Sequence, residues 1–316
     1  MIKKLLILLF TFTWISLDAQ QQQMYTQFMY NKMSLNPAFA GNENYLSVTL
    51  LYRDQWNGFP GAPKAQLVSA NLPRLGKRIG IGLNLERQTI GITEKITYEF
   101  MYAYKFFMGE GTLSMGMNVS GRNFIQDYTD SRLYAIQGIE NDPSIPKTLQ
   151  SRNLINAGFG VYFNTNNFYL GASIPRMIRT DLDFDNNNLF STEVRHLLIM
   201  TGGTFIVNND FRLTPQLLFR AAEFSPYGLD LNLSGTLYDK YSTGLTYRTG
   251  GSAGDFGESL DIIFGMQLSE KLMLGFAYDI TLSKIRTIDN GSLEVILSYN
   301  FIPSKIKTII VNPRYF

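Results

Sequence analysis

Few side chains in this chain are suited to nucleophilic or metal chemistry. There is one histidine, His196, and no cysteine, which removes thiolate nucleophiles, disulfide scaffolds, iron-sulfur clusters and Cys/His zinc sites together. His196 follows Arg195 at the head of an alternating segment, with no Ser or Asp pattern that would make it the base of a triad. It reads as structural. The stretch DLDFDNNN, Asp181 to Asn188, sets oxygen ligands at alternating positions that could hold a calcium ion. It lacks the glycine and distal glutamate of an EF-hand loop, and a solvated loop is the better reading. The run GGSAGDFG, Gly250 to Gly257, has no strand and helix around it of the kind a phosphate-cradling loop needs, so it reads as a flexible external hairpin. No catalytic residue, cofactor or metal ion is expected.

The informative charges lie elsewhere, at every second position of alternating segments: Arg53, Glu86, Glu99, Lys105, Arg122, Arg212, Arg220, Arg248, Asp261, Asp279 and Glu294. Opposite them stand apolar residues. Tyr98, Phe100, Tyr102, Tyr104 and Phe106 oppose Glu99, Met101, Ala103 and Lys105, and Leu293, Val295, Leu297, Tyr299 and Phe301 oppose Glu294, Ile296, Ser298 and Asn300. A two-residue period with two chemically different faces is a strand. Fourteen such segments follow Tyr45, centred near residues 50, 69, 83, 100, 117, 159, 170, 200, 215, 232, 245, 263, 276 and 296. Their connections alternate in length. PRLGK, MGEG, TNN, NND, DK and SEK are turn-sized, whereas DQWNGFPGAPK, QTIGITEK, about 123–152, about 175–193, AAEFSP, RTGGSAGDFGE and SKIRTIDNG are longer. Short turns on one side and long loops on the other mark an outer-membrane barrel, whose closure pairs every strand edge inside lipid.

Composition agrees. Only 17% of residues are charged and the formal charge is +2, too few and too balanced for a soluble domain or a nucleic-acid binder. Beyond the first twenty positions no apolar run is long enough for a transmembrane helix. The opening MIKKLLILLFTFTWISLDAQ has a basic start at Lys3 and Lys4, an apolar stretch and Ala19 at its end, the form of a secretory signal peptide. The expected organisation is a signal peptide over 1–19, a periplasmic or lumen-plugging segment over 20–44, an all-β transmembrane antiparallel barrel of about 14 strands over 45–301, and a periplasmic tail over 302–316. Both termini are expected in the periplasm. The inner-face charges of both signs would either line a water-filled channel or pair across the lumen and fill it.

The mature N-terminus carries a denser pattern. Its residues Gln27, Phe28, Tyr30, Asn31, Asn36, Pro37, Ala38 and Gly41, then Tyr52, Arg53, Gln55 and Trp56, then Gly61, Ala62, Pro63 and Lys64 closely resemble the PorP/SprF family of Bacteroidetes outer-membrane proteins of type IX secretion and gliding motility. IGIGL at Ile79 to Leu83 and NPRYF at Asn312 to Phe316 look like the family too. The resemblance implies a non-enzymatic outer-membrane barrel that helps a dedicated secreted protein, such as a large adhesin with a C-terminal sorting domain, reach or stay on the cell surface. It also implies periplasmic, cell-wall-linked partners among the type IX components, and the sixteen motif residues become candidate partner-binding positions. The alternative class is a porin or specific channel for small solutes, motivated by the inner-face charges.

Overall fold

The computed structural model describes residues 24–133, 138, 145–180, 193–223, 225–250 and 257–303. Among them, fourteen antiparallel strands close into one barrel. They are β1 (Leu46–Asp54), β2 (Lys64–Asn71), β3 (Ile79–Ile90), β4 (Thr93–Met108), β5 (Gly111–Asp127), β6 (Leu149–Asn164), β7 (Phe168–Ile174), β8 (His196–Gly203, resuming at Phe205–Ile206), β9 (Phe211–Ala222), β10 (Gly228–Leu237), β11 (Tyr241–Arg248), β12 (Ser259–Gln267), β13 (Leu272–Thr281) and β14 (Ser292–Phe301). Each pairs with its sequence neighbours, and β1 pairs with β14 from Leu46↔Phe301 to Asp54↔Leu293, which closes the sheet. No open edge remains along the pairing circuit, as a hydrocarbon surround requires.

The alternation sorts side chains as a bilayer demands. Tyr98, Phe100, Met117, Val119, Ile155, Leu233, Ile262 and Phe276 are exposed on the outside, while Thr49, Ser69, Asn84, Asn118, Asp230, Thr246 and Ser298 are buried inside. This inverts the arrangement of a soluble β-protein, where an exposed apolar surface so large would promote aggregation. No described helix is long and apolar enough to cross a membrane; the crossing is made by strands.

The loop parity holds for most connections, although β9–β10 (223–227) is shorter than β2–β3 (72–78). QTIGITEK is no loop: β3 and β4 stay paired up to Ile90↔Thr93, and only Gly91 and Ile92 turn between them. Gly91 takes the left-handed φ of 55° that so tight a hairpin needs. The β-branched Thr89, Ile90, Ile92 and Thr93 favour extended chain, so pairing runs on through a stretch whose Gly and charges suggested a loop. Likewise β5 reaches Asp127 and β6 starts at Leu149. At 16, 17 and 16 residues, β4, β5 and β6 exceed the roughly 9–11 residues a spanning strand needs, and rise as a wall above the long-loop rim.

The expected signal peptide, the Asp181 to Asn188 loop, residues 251–256 of the glycine-rich run and the tail beyond Pro303 lie outside the described residues.

Candidate functional site

The lumen is occupied by the chain's own residues 24–41. This segment makes three single 3-10 turns, Phe28–Tyr30, Lys32–Ser34 and Pro37–Phe39, each closed by an i→i+3 bond such as Tyr30 N–H to Gln27 O at 3.0 Å and Ala40 N–H to Pro37 O at 3.2 Å. The last turn is specified locally. Asn36 accepts from the Ala38 N–H at 2.9 Å, and Pro37 at the first position brings a helical φ with no N–H left to satisfy.

The path runs from one rim to the other. Thr26 and Gln27 meet Arg53, Asp279 and Glu294, each within three residues of a strand end that carries a long loop. Met24 lies at that mouth, lining a pocket of about 30 Å³ with His196, Arg220, Tyr227 and Glu258. At the other end Gly41 N–H donates to Asn71 Oδ1 at 2.6 Å, where β2 reaches a short turn.

The end near the long loops is held by charge. Glu294 accepts two successive plug amides, Thr26 N–H and Gln27 N–H, both at 2.8 Å. Arg53 pairs with Asp279 at 2.6 Å and Glu294 at 3.2 Å, and donates to Thr26 Oγ1 at 2.7 Å. The Thr26 hydroxyl in turn donates to Asp279 at 2.8 Å. The network continues along the wall as Arg248 contacts Asp279 at 3.8 Å, Asp261 at 3.6 Å and Asp230 at 3.3 Å, with Arg220 on Asp230 at 2.6 Å. Buried charges are tolerated only when paired, and here three guanidiniums interleave with four carboxylates. The Tyr25 hydroxyl, donating to Glu86, adds a further tie.

The other end is held by close packing. Phe28, Met29, Met33, Leu35, Ala38, Phe39 and Ala40 are buried in one cluster with Met101, Ala103, Tyr162, Tyr169, Leu198, Met200 and Leu218 of the wall. Phe39 meets Tyr162 edge-on with ring centroids 5.4 Å apart, and the Lys32 ammonium sits 3.9 Å from the Tyr169 ring centre. Two wall glycines make room for the plug backbone. A Cβ at Gly80 would stand 2.0 Å from Ala40 O, and one at Gly116 would stand 2.5 Å from the Ala38 Cα. Polar pins are interspersed: Tyr30 Oη to Ser242 at 2.8 Å, Asn31 to Ser69 at 2.8 Å, Asn36 Nδ2 to Val161 O at 3.0 Å and Ala172 O at 3.3 Å, and the Ser173 hydroxyl to Leu35 O at 2.6 Å.

The structure therefore divides the sixteen motif residues. Gln27, Phe28, Tyr30, Asn31, Asn36, Pro37, Ala38, Gly41 and Arg53 converge on the plug and its lock. The other seven do not join them. Tyr52 faces outward and is exposed, while Gln55, Trp56, Gly61, Ala62, Pro63 and Lys64 shape the first long loop and its return. There Gln55 N–H bonds Pro63 O at 2.9 Å, Ala62 N–H bonds Phe59 O at 3.1 Å and Lys64 pairs with Asp54 at 3.3 Å. Trp56 adopts a left-handed φ of 52° and donates its backbone N–H to Ser292 Oγ at 3.1 Å.

This loop is tied to its neighbours. Asn57 N–H bonds Gly291 O, Gly91 N–H bonds Gly61 O at 2.8 Å, and Arg132 reaches Gly91 O at 3.1 Å. Arg132 also bonds Asp130 through its side chain and backbone N–H, holding that carboxyl down at about 2. Farther round the rim, Glu193 pairs with Arg122 at 2.6 Å and with Arg176 at 3.4 Å, tying the residues that flank β7 and β8 to β5.

All eleven expected inner-face charges point inward or to the rim; Arg53, Arg220, Arg248, Asp261, Asp279 and Glu294 pair with one another or with the plug, whereas Glu99 bonds Asn84 and Asn118 and Lys105 bonds Ser114. Sequence reasoning missed Thr26, Asp230, Arg176 and Glu193 as members of these networks. Among the described residues His196 has only a backbone partner, Val194 O at 3.0 Å from Nδ1, and no group of three His, Asp or Glu is placed to hold a metal.

With this geometry in hand, comparison with known proteins is decisive at one level. The family model described as "Type IX secretion system membrane protein PorP/SprF" matches residues 17–299. The chain belongs to the PorP/SprF family. It is a type IX secretion membrane protein of the outer membrane. No curated protein matches it. Among solved structures it is similar to the CymD monoaromatic hydrocarbon channel (11% identity, 88% of this chain and 93% of that one, TM-score 0.52) and to the Ralstonia pickettii toluene transporter TbuX (10% identity, 85% and 92%, TM-score 0.50). At such identities these likenesses concern the barrel fold alone.

Proposed function

We propose that this PorP/SprF protein is a non-enzymatic accessory of type IX secretion that receives one dedicated surface cargo, such as a large adhesin with a C-terminal sorting domain, at its long-loop rim and couples it to periplasmic components at its short-turn rim. The observation that carries this reading is the plug. One segment touches the ion network beneath the long loops at Thr26 and the turn-side wall at Gly41, so a load on one rim has a continuous packed route to the other. The interlocked loops around Trp56, Gly61, Gly91 and Arg132 offer a preformed platform for docking. In this reading the long loops face the cell exterior and the short turns face the periplasm, as in other outer-membrane barrels.

The competing reading is a channel for small solutes. The inner-face charges alone would permit it, but around the plug they bind each other and the plug backbone, which argues against a wide open path. The test is a comparison of surface and medium proteomes between the parent strain and a clean deletion. Loss of one or a few large sorting-domain proteins from the surface supports the accessory role; an unchanged proteome sinks it and directs attention to solute uptake.

A further inference from the structure

The six short-turn connections differ in charge. The β2–β3 connection holds Arg74, Lys77 and Arg78 and no acidic residue, whereas the others hold Glu110 alone, no charge, Asp210 alone, Asp239 with Lys240, and Glu270 with Lys271. The geometry presents these cations. Leu75 and Ile79 exchange both backbone hydrogen bonds, at 2.9 and 3.1 Å, which fixes Gly76 and Lys77 at a hairpin tip with φ of 56° and 71°. A lysine at a left-handed position that Gly, Asn or Asp normally takes is a conformational cost accepted at the most projecting point of the turn. Arg74 is anchored to Asn44 Oδ1 at 2.6 Å, and its Nε has no hydrogen-bond partner among the described residues.

Arg78 is exposed, and its only polar side-chain contact among the described residues is the Tyr104 hydroxyl at 3.1 Å. Tyr104 lies on the outward face of β4, edge-on to Phe106 at 5.0 Å, and Leu75, Phe106 and Met108 are exposed at the same short-turn end of the barrel. The unpaired cations thus stand where the apolar belt ends. Aromatic rings beside basic side chains at that depth meet the headgroup region of a leaflet.

We propose that the β2–β3 turn binds the phosphate of an anionic phospholipid in the leaflet on the short-turn side, with Lys77 and Arg78 as donors and the Tyr104–Phe106 pair flanking the acyl chains. A phosphodiester fits because its negative charge is met by two cations that no protein carboxylate competes for. Orientation decides for a lipid over a soluble anion: Arg78 turns to the lipid-facing rings instead of the lumen.

The test uses the full chain purified with equal amounts of phosphatidylglycerol and phosphatidylcholine, with retained lipid measured by native mass spectrometry. The expected result is preferential retention of phosphatidylglycerol by the parent and a fall of about fivefold for each cation removed in Lys77→Gln and Arg78→Gln. The rim control Lys240→Gln with Lys271→Gln should keep the preference. Heat-modifiable migration on gels confirms that every variant folds as a barrel. Unchanged retention in the Lys77/Arg78 variants, or equal loss in the control, overturns the proposal. So does displacement of the lipid by low concentrations of soluble glycerol phosphate, which would make the site one for a free anion, or unchanged lipid with loss of a co-purifying acidic protein, which would make it a protein contact.

Discussion

The two ends of the plug are held by different physics. At Thr26 and Gln27 the grip is electrostatic: Arg53, Asp279 and Glu294 surround two backbone amides and a hydroxyl. From Phe28 to Gly41 it is mainly steric and apolar, a chain of 3-10 turns pressed onto wall glycines and a cluster of aromatic and thioether side chains. An ionic lock is strong while intact, and losing one partner leaves like charges facing each other in a low-dielectric site. A packed seat has no such weak point but tolerates no added volume. The long-loop end is therefore the releasable one and the short-turn end the fixed anchor.

Perturbations of decreasing size separate the two. Gly116→Val should be the most severe, above about 4 kcal/mol, because the added atoms meet the Ala38 backbone and not a movable side-chain tip. It should lower thermal stability and produce a steady conductance in planar bilayers that the parent lacks. Arg53→Met should cost about 3–5 kcal/mol by leaving Glu294 without its cation and Asp279 with only the longer contact to Arg248 at 3.8 Å, yet keep the seat. Its signature is faster maleimide labelling of Met24→Cys from the long-loop side of intact cells, with labelling of Ala40→Cys unchanged. Asn36→Ala removes the cap and two wall hydrogen bonds, and should cost about 1–3 kcal/mol in denaturant titrations. Tyr30→Phe loses the hydroxyl that meets Ser242, with an expected effect of about 0.5–1.5 kcal/mol. Equal effects of Arg53→Met and Asn36→Ala on Met24→Cys labelling would break the distinction between the ends.

The strands were legible because the bilayer imposes a local rule. Alternation such as Tyr98 to Phe106 is visible within nine residues and needs no knowledge of partners. The β3–β4 hairpin was misjudged because Gly91 and its flanking charges resemble a loop, whereas extended pairing is decided by cross-strand neighbours. The plug's placement was legible only as one of two alternatives, periplasmic or lumen-plugging: its defining bonds join residues as far apart as Gln27 and Glu294, and a segment that fills a lumen has no period of its own. A signal did exist. Met101, Ala103, Leu198, Met200 and Leu218 sit on the inner face among polar residues, and apolar side chains there need something to cover them. Beside them, the inner-face glycines of IGIGL mark where another backbone comes close.

The central claim is that residues 24–41 occupy the lumen, and a disulfide tests it most directly because the chain has no cysteine of its own. A Cβ built at Gly82 would stand 3.4 Å from that of Ala40, close to the spacing a disulfide requires, with only the flexible Met33 thioether in the way. In Ala40→Cys/Gly82→Cys the account predicts near-complete intramolecular bonding on mild oxidation of the membrane-embedded protein, read as two proteolytic fragments that separate only after reduction. No bond in this pair, while the wall control Thr49→Cys/Ser298→Cys across the β1–β14 seam forms one, would contradict it.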